Sequence, residues 1–226
     1  MRIQLPFDMP FDTAFAAEDF LAAESNFEAR GLVKRWRDWP ARSAAIWGEA
    51  GAGKTHLAHI WASQALAEFA NVEQLANVDE FPQRLVLDLA DGAFPADHET
   101  ALFHLLNLTR ERGGALLIVS RDAPSRWPVS LPDLRSRLRA LPSAEMTAPD
   151  DGLLAAVLMK QCADRQLAVD AETVDYLLAR SERSFAAMQN LAWRLDRTSL
   201  KRRRRRITIP IARETLEEQS DHGSRN

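Results

Sequence analysis

The chain has 226 residues, 46% of them hydrophobic and 27% charged, with a formal net charge of −3 at pH 7. That length buries one full core and a smaller attached one, so two domains are expected. A single cysteine, Cys162, excludes an internal disulfide framework, and no apolar run has membrane-spanning or signal-peptide length, which points to a cytosolic, cytoplasmic protein.

Met1 to Ala16 is neither basic nor amphipathic in the manner of a transit peptide. Ser43-Ala44-Ala45-Ile46-Trp47 is a short apolar run suited to a buried strand. Directly after it, Gly48-Glu49-Ala50-Gly51-Ala52-Gly53-Lys54-Thr55 matches the phosphate-binding pattern G-x-x-x-x-G-K-[S/T] at every fixed position. Gly48, Gly51 and Gly53 allow turn conformations in which successive N–H groups converge on phosphate oxygens. Lys54 supplies a charge for the β and γ oxygens, and the Thr55 hydroxyl is a ligand for Mg2+. His56 to Ala70 follows, with Leu57, Ile60, Trp61, Leu66 and Phe69 at helical spacing, so a helix N-terminus points at the phosphates. The ligand class is therefore a nucleoside triphosphate or diphosphate. His56 reads as a packing or supporting residue of the nucleotide site rather than a catalytic one, and so counts with the cofactor-binding residues, while His59, His98, His104 and His222 show no metal spacing with Cys162. Trp47, Trp61 and Trp193 read as core residues.

Gln83 to Leu89 is predicted to be a second buried strand, Glu99 to Arg112 a helix, and Gly114 to Ser120 a third strand. Strand alternating with helix is the signature of a parallel α/β sheet. Asp88, near the end of its strand, is placed to hold Mg2+ beside Thr55. An ATP hydrolase of this type sets a second carboxylate directly after the first to polarise water. Here that position is Leu89, and Asp91 lies two residues further on. Prolines at 124, 128, 132, 142 and 149 then exclude a long helix. Within this region Leu134-Arg135-Ser136-Arg137-Leu138-Arg139 reads, from spacing alone, first as an exposed basic turn.

Past Pro149 the texture is helical. Asp150-Asp151 opens a helix to about Arg165, Asp170-Ala171-Glu172 another to about Arg180, and Ser184 a third to about Leu200. Lys201 to Arg206 holds six of the 29 basic residues, leaving 23 basic against 32 acidic groups elsewhere, so no globally basic DNA-binding surface is evident. The run suits either a solvated helix C-terminus or a contact with nucleic-acid phosphates. Ile207-Thr208-Ile209 and a short helix from Ile211 close the domain. The expected organisation is an N-terminal segment over 1–17, a nucleotide-binding α/β domain over 18–148, a helical lid over 149–219 and a polar tail over 220–226.

Gly48 to Leu57 resembles the phosphate loop of the bacterial replication initiator DnaA and its relatives within the AAA+ ATPases. Phe20 to Asn26 resembles that family's segment bordering the adenine, which puts Asn26 beside the nucleotide. Ser120 to Pro124 resembles its sensor-1 segment, with Ser120 facing the phosphates, and Leu131 to Leu138 resembles the box ending in the arginine finger. The matches run in order over about residues 18–216. They imply the AAA+ fold, a parallel-sheet domain followed by a small helical lid, and they assign Arg137 as a catalytic group acting on a neighbouring subunit's nucleotide.

DnaA continues into a helix-turn-helix DNA-binding domain, whereas this chain stops soon after its last predicted helix, so it is similar to short regulatory members of the family. Gln4-Leu5-Pro6-Phe7-Asp8-Met9 resembles the hexapeptide by which such members bind the sliding clamp of DNA polymerase III, with Gln4, Leu5, Phe7 and Met9 as the contacts. The resemblance implies negative regulation of replication initiation: docked on the clamp, the chain contributes Arg137 to hydrolysis of DnaA-bound ATP. Its own loop then holds ADP as a strut, and its intrinsic ATPase is weak. The sensor-2 arginine of the family falls near Ala186, with Arg183 the nearest basic residue. A homodimer is also compatible. Competing expectations are a DnaA-like helicase loader that turns over its own ATP, and a DNA-binding initiator relative using Lys201 to Arg206. A phosphotransferase leaves the lid and Arg137 unexplained.

Overall fold

The computed structural model describes residues 20–75, 82–89 and 94–223. Five strands form one parallel sheet: β1 (Ser43–Trp47), β2 (Glu68–Ala70), β3 (Arg84–Leu89), β4 (Ala115–Ser120) and β5 (Ser143–Glu145). Their spatial order is β2-β3-β4-β1-β5. The phosphate-loop strand β1 and the acid-bearing strand β3 therefore flank β4. Parallel pairing sets Trp47 and Leu89 both opposite Ser120, so the C-terminal ends of all three strands meet at one edge of the sheet. Ligands of open α/β sheets bind outside that edge.

Side chains alternate across a strand, and the sheet sorts them into two apolar layers. Leu117 and Val119 of β4 join Ile46 and Val86 under α1 (Phe27–Lys34) and α2 (Lys54–Ala65). Leu116 and Ile118 join Leu85, Leu87 and Leu89 under α3 (Glu99–Glu111) and α4 (Pro132–Ala140). The result is the helix–sheet–helix sandwich expected for the AAA+ class. Trp61 of α2 is fully buried, stacked on Trp39 with ring centroids 5.4 Å apart and edge-on to Trp36 at 6.1 Å.

A smaller helical unit follows, built from α5 (Asp151–Asp164), α6 (Ala171–Leu178), α7 (Phe185–Arg202) and α8 (Ile209–Gly223) around its own core of Leu154, Leu158, Leu177, Met188 and Leu195. Asp150, Asp170 and Ser184 cap its first three helices through their side chains, as the acids and the serine at those starts predict. Two short strands, β6 (Ala168–Val169) and β7 (Arg206–Ile207), pair in parallel within it. The basic run does structural work here: Arg202 pairs with Glu214 at 2.9 Å, Arg205 with Asp196 at 2.9 Å and Arg206 with Asp170 at 3.9 Å.

Several expectations need correction. The first helix ends at Ala65, not Ala70, because Leu66 turns left-handed (φ 55°) and the Ala67 N–H closes back on the Ala62 carbonyl at 2.9 Å. Leu66 is 81% exposed, and Phe69 lies in edge strand β2. Trp193 is not core: it is 55% exposed, with the Arg197 guanidinium over its ring. Trp47 is half-buried under Arg126. No helix among the described residues is long and apolar enough to cross a membrane.

Candidate nucleotide site and its lid

The loop from Gly48 to Thr55 leaves the end of β1 and runs into α2. Gly48, Gly51 and Gly53 have φ of 145°, 80° and 90°, a region that L side chains rarely adopt. Lys54 is 4% exposed, and its Nζ donates to the carbonyl oxygens of Gly48 and Glu49, each at 2.8 Å. The ammonium is thereby folded over the loop, at the place where phosphate oxygens would sit. Asp88 lies on the same face of β3 as Val86, toward α2, and the Thr55 hydroxyl donates to its Oδ2 at 3.5 Å. A hydroxyl and a carboxylate so placed suit Mg2+. Left-handed glycines, a buried ammonium and this oxygen pair together fit a nucleotide phosphate chain with its cation. Leu89 turns to the opposite face and is 6% exposed in the α3 layer, so no carboxylate follows Asp88.

Ser120 ends β4 beside the loop. Its hydroxyl donates to the Asp122 carbonyl at 2.9 Å, while its own carbonyl accepts the Gly48 N–H at 3.3 Å. Asn26 is 2% exposed and braces its own segment: Oδ1 accepts from the Ala23 N–H at 3.1 Å, and Nδ2 donates to the Leu21 carbonyl at 2.9 Å. These bonds shape the stretch that leads into α1. His56, expected beside the nucleotide, packs edge-on against Phe20 at 5.2 Å between centroids. Among the described residues no group of three or more His, Cys, Asp or Glu side chains could hold a metal.

The helical unit lies over the loop through the start of α7. A Cβ added to Gly51 would lie 2.8 Å from the Ser184 Cβ, and one added to Gly53 would lie 3.1 Å from the Phe185 ring and 3.6 Å from that of Phe20. The start of α7 thus rests on the glycines. Ala186, where the resemblance puts sensor 2, is exposed, and Arg183 forms an ion pair with Asp151 at the start of α5. Phe20 belongs to the sheet core, while Leu21 and Ala23 pack against the helical core. Adjacent residues therefore stitch the two units together.

Arg137 lies on α4, its guanidinium carbon 4.8 Å from the centroid of Phe103 on α3. Arg135 instead donates through Nε to the Val129 carbonyl at 3.0 Å, and Arg139 is exposed. Gln4, Leu5, Phe7, Met9 and Asp91 fall outside the described residues.

Residues 150–216 match the family model described as Hda, lid domain. An uncharacterized protein of Haemophilus influenzae is 26% identical over 230 residues, covering 96% of this chain and 99% of its own length. Domain III of the replication initiation protein DnaA from Thermotoga maritima superposes with a TM-score of 0.74 at 18% identity, over 92% of this chain and 98% of that one. AMPPCP-bound DnaA from Aquifex aeolicus superposes with a TM-score of 0.64 at 18% identity, over 78% of this chain and 63% of that one.

Proposed function

We infer that this chain, whose residues 150–216 match the Hda lid model and whose fold is that of DnaA domain III, is a regulator of DNA replication initiation that acts on the nucleotide of DnaA. The observation that carries this reading is the pairing of that lid with an incomplete hydrolytic set. The buried Lys54 and the Thr55–Asp88 pair support binding of a nucleotide with Mg2+, while Leu89 is buried where an ATP hydrolase keeps its water-polarising acid. A likeness to AMPPCP-bound DnaA supports nucleotide as the ligand.

In this reading the loop holds ADP and keeps the lid seated through Ser184 and Phe185. The Gln4 to Met9 segment engages the sliding clamp by burying Leu5, Phe7 and Met9 in an apolar groove. Arg137 enters the interface with ATP-loaded DnaA, where its charge stabilises the phosphoryl group in transfer. Arginine fingers contribute about 10³ to 10⁵ in rate. Arg135 is engaged with its own backbone, which favours Arg137 within the cluster. The working place is the cytoplasm, where the replication machinery lies.

A reconstituted assay of DnaA-bound ATP, with clamp loaded on DNA, tests this. The wild-type chain should accelerate hydrolysis, and Arg137→Ala and Gln4→Ala should each lose most of the acceleration. No acceleration by the wild type sinks the proposal. The intact Lys54–Thr55–Asp88 set keeps a second reading in view, a DnaA-like ATPase turning over its own ATP. Steady-state turnover by the isolated chain, abolished by Lys54→Ala and indifferent to Gln4→Ala, would favour it.

A further inference from the structure

Glu99 opens α3 and is only 7% exposed. Its two carboxylate oxygens accept the backbone N–H groups of Ser130 and Leu131, each at 2.7 Å. Leu131 is the N-cap of α4, so the carboxylate lies at the positive end of that helix as well as in the first turn of its own. From the other side Arg135 grips the carbonyl of Val129. Val129, Ser130 and Leu131, the residues that lead into α4, are therefore held by side chains of both helices.

One turn after Glu99, on the same face of α3, Phe103 lies under the Arg137 guanidinium. Stacking occupies the flat face of a guanidinium and leaves its N–H edge ready to meet an oxyanion. An unsupported arginine has many rotamers to lose when it enters an interface, and one already laid on a ring loses fewer. The same face of α3 thus meets both the start of the helix that carries Arg137 and its head group.

We propose that Glu99 and Phe103 are positioning residues for Arg137: Glu99 fixes where α4 begins, and Phe103 preorganises the guanidinium before the partner's nucleotide arrives. This rests on the reading of Arg137 as the finger. The test is single-turnover hydrolysis of DnaA-bound ATP on clamp-loaded DNA, with the concentration of this chain varied. Phe103→Leu should lower the maximal rate about three- to tenfold with the half-saturating concentration unchanged, and Phe103→Tyr, which keeps the ring face, should restore it. Glu99→Gln sets an amide NH2 against one of the two N–H donors and should lower the maximal rate roughly tenfold. In an Arg137→Lys background, which lacks the planar fork, Phe103→Leu should have no further effect. Nucleotide affinity of each variant reports an intact fold. Full activity of the α3 variants beside a loss in Arg137→Ala overturns this proposal alone, as do losses that persist undiminished in Arg137→Lys. Wild-type rates from Arg137→Ala overturn the finger reading and this proposal with it.

Discussion

Gly51→Ala probes the seat of the lid on the phosphate loop. At φ 80° any L residue is strained, at a cost of about 1–2 kcal/mol. The new Cβ would also lie 2.8 Å from the Ser184 Cβ, against about 3.5–4.0 Å for a relaxed carbon contact. Ser184 cannot give way by rotating, because its Cβ is fixed to the backbone of the α7 N-cap and the residue is 4% exposed. The loop or the helix must retreat by roughly 1 Å, which forfeits about a quarter to a half of the local dispersion energy. Strain and retreat together amount to about 2–3 kcal/mol, or a fall in Tm of roughly 5–10 °C for a chain of this size. Ser184→Gly removes the opposing Cβ at a cost of only a few tenths of a kcal/mol, about what glycine costs at an N-cap. The double variant should therefore be about 1 kcal/mol more stable than the sum of the single changes. Thermal melts of the four proteins measure this coupling. A coupling below about 0.3 kcal/mol, which is ordinary additivity, would show that the lid does not rest on Gly51 in solution.

Lys54→Ala should weaken nucleotide binding at least about a hundredfold by titration calorimetry, since a charge-assisted contact to phosphate is lost. Unchanged affinity would move the nucleotide elsewhere. Burial pushes the Cys162 thiol up to about 11, so it should react with a thiol reagent at pH 8 only as the lid unfolds; rapid labelling of the native protein would contradict the packing. The Asp170 carboxyl is held below its ordinary value by hydrogen bonds from Thr173, with Arg206 adding a smaller pull. Its folded value is thus below its unfolded one, so its stabilisation is full above about pH 4 and fades as pH falls through the folded value. The Tm difference between wild type and Asp170→Ala should shrink in acid; a constant difference down to pH 2 would refute the role of its charge.

The loop, three of the five strands and the starts of the first three lid helices were legible because each carries a local signal: fixed glycines, an unbroken apolar run, or a capping side chain ahead of a periodic segment. The last helix, expected to be short and to begin at Ile211, runs Ile209–Gly223. Strands β2 and β5 are three residues long and β6 only two, too short for a period to show, and their partners are distant in sequence. Leu66 looked like one more helical apolar residue, because nothing in the residue type announces a left-handed turn. Helix α1 also escaped the reading. In the sequence Glu99 marks only the start of a helix, and its grip on Ser130 and Leu131 belongs to the tertiary fold. The basic run shows the opposite limit: six adjacent cations suggest an outward function, yet three of them tie the lid to its own acids.

The stitch at Phe20 gives the molecule a built-in latch. Phe20 is anchored in one core and its immediate neighbour Leu21 in the other, so swinging the lid away must draw one of them out into water. Exposing a side chain of that size costs about 1.5–3 kcal/mol when it starts fully buried, and less for the partly covered Leu21. That cost opposes opening of the lid in addition to any bound ligand, and Phe20→Ala should leave a lid that hangs open more often.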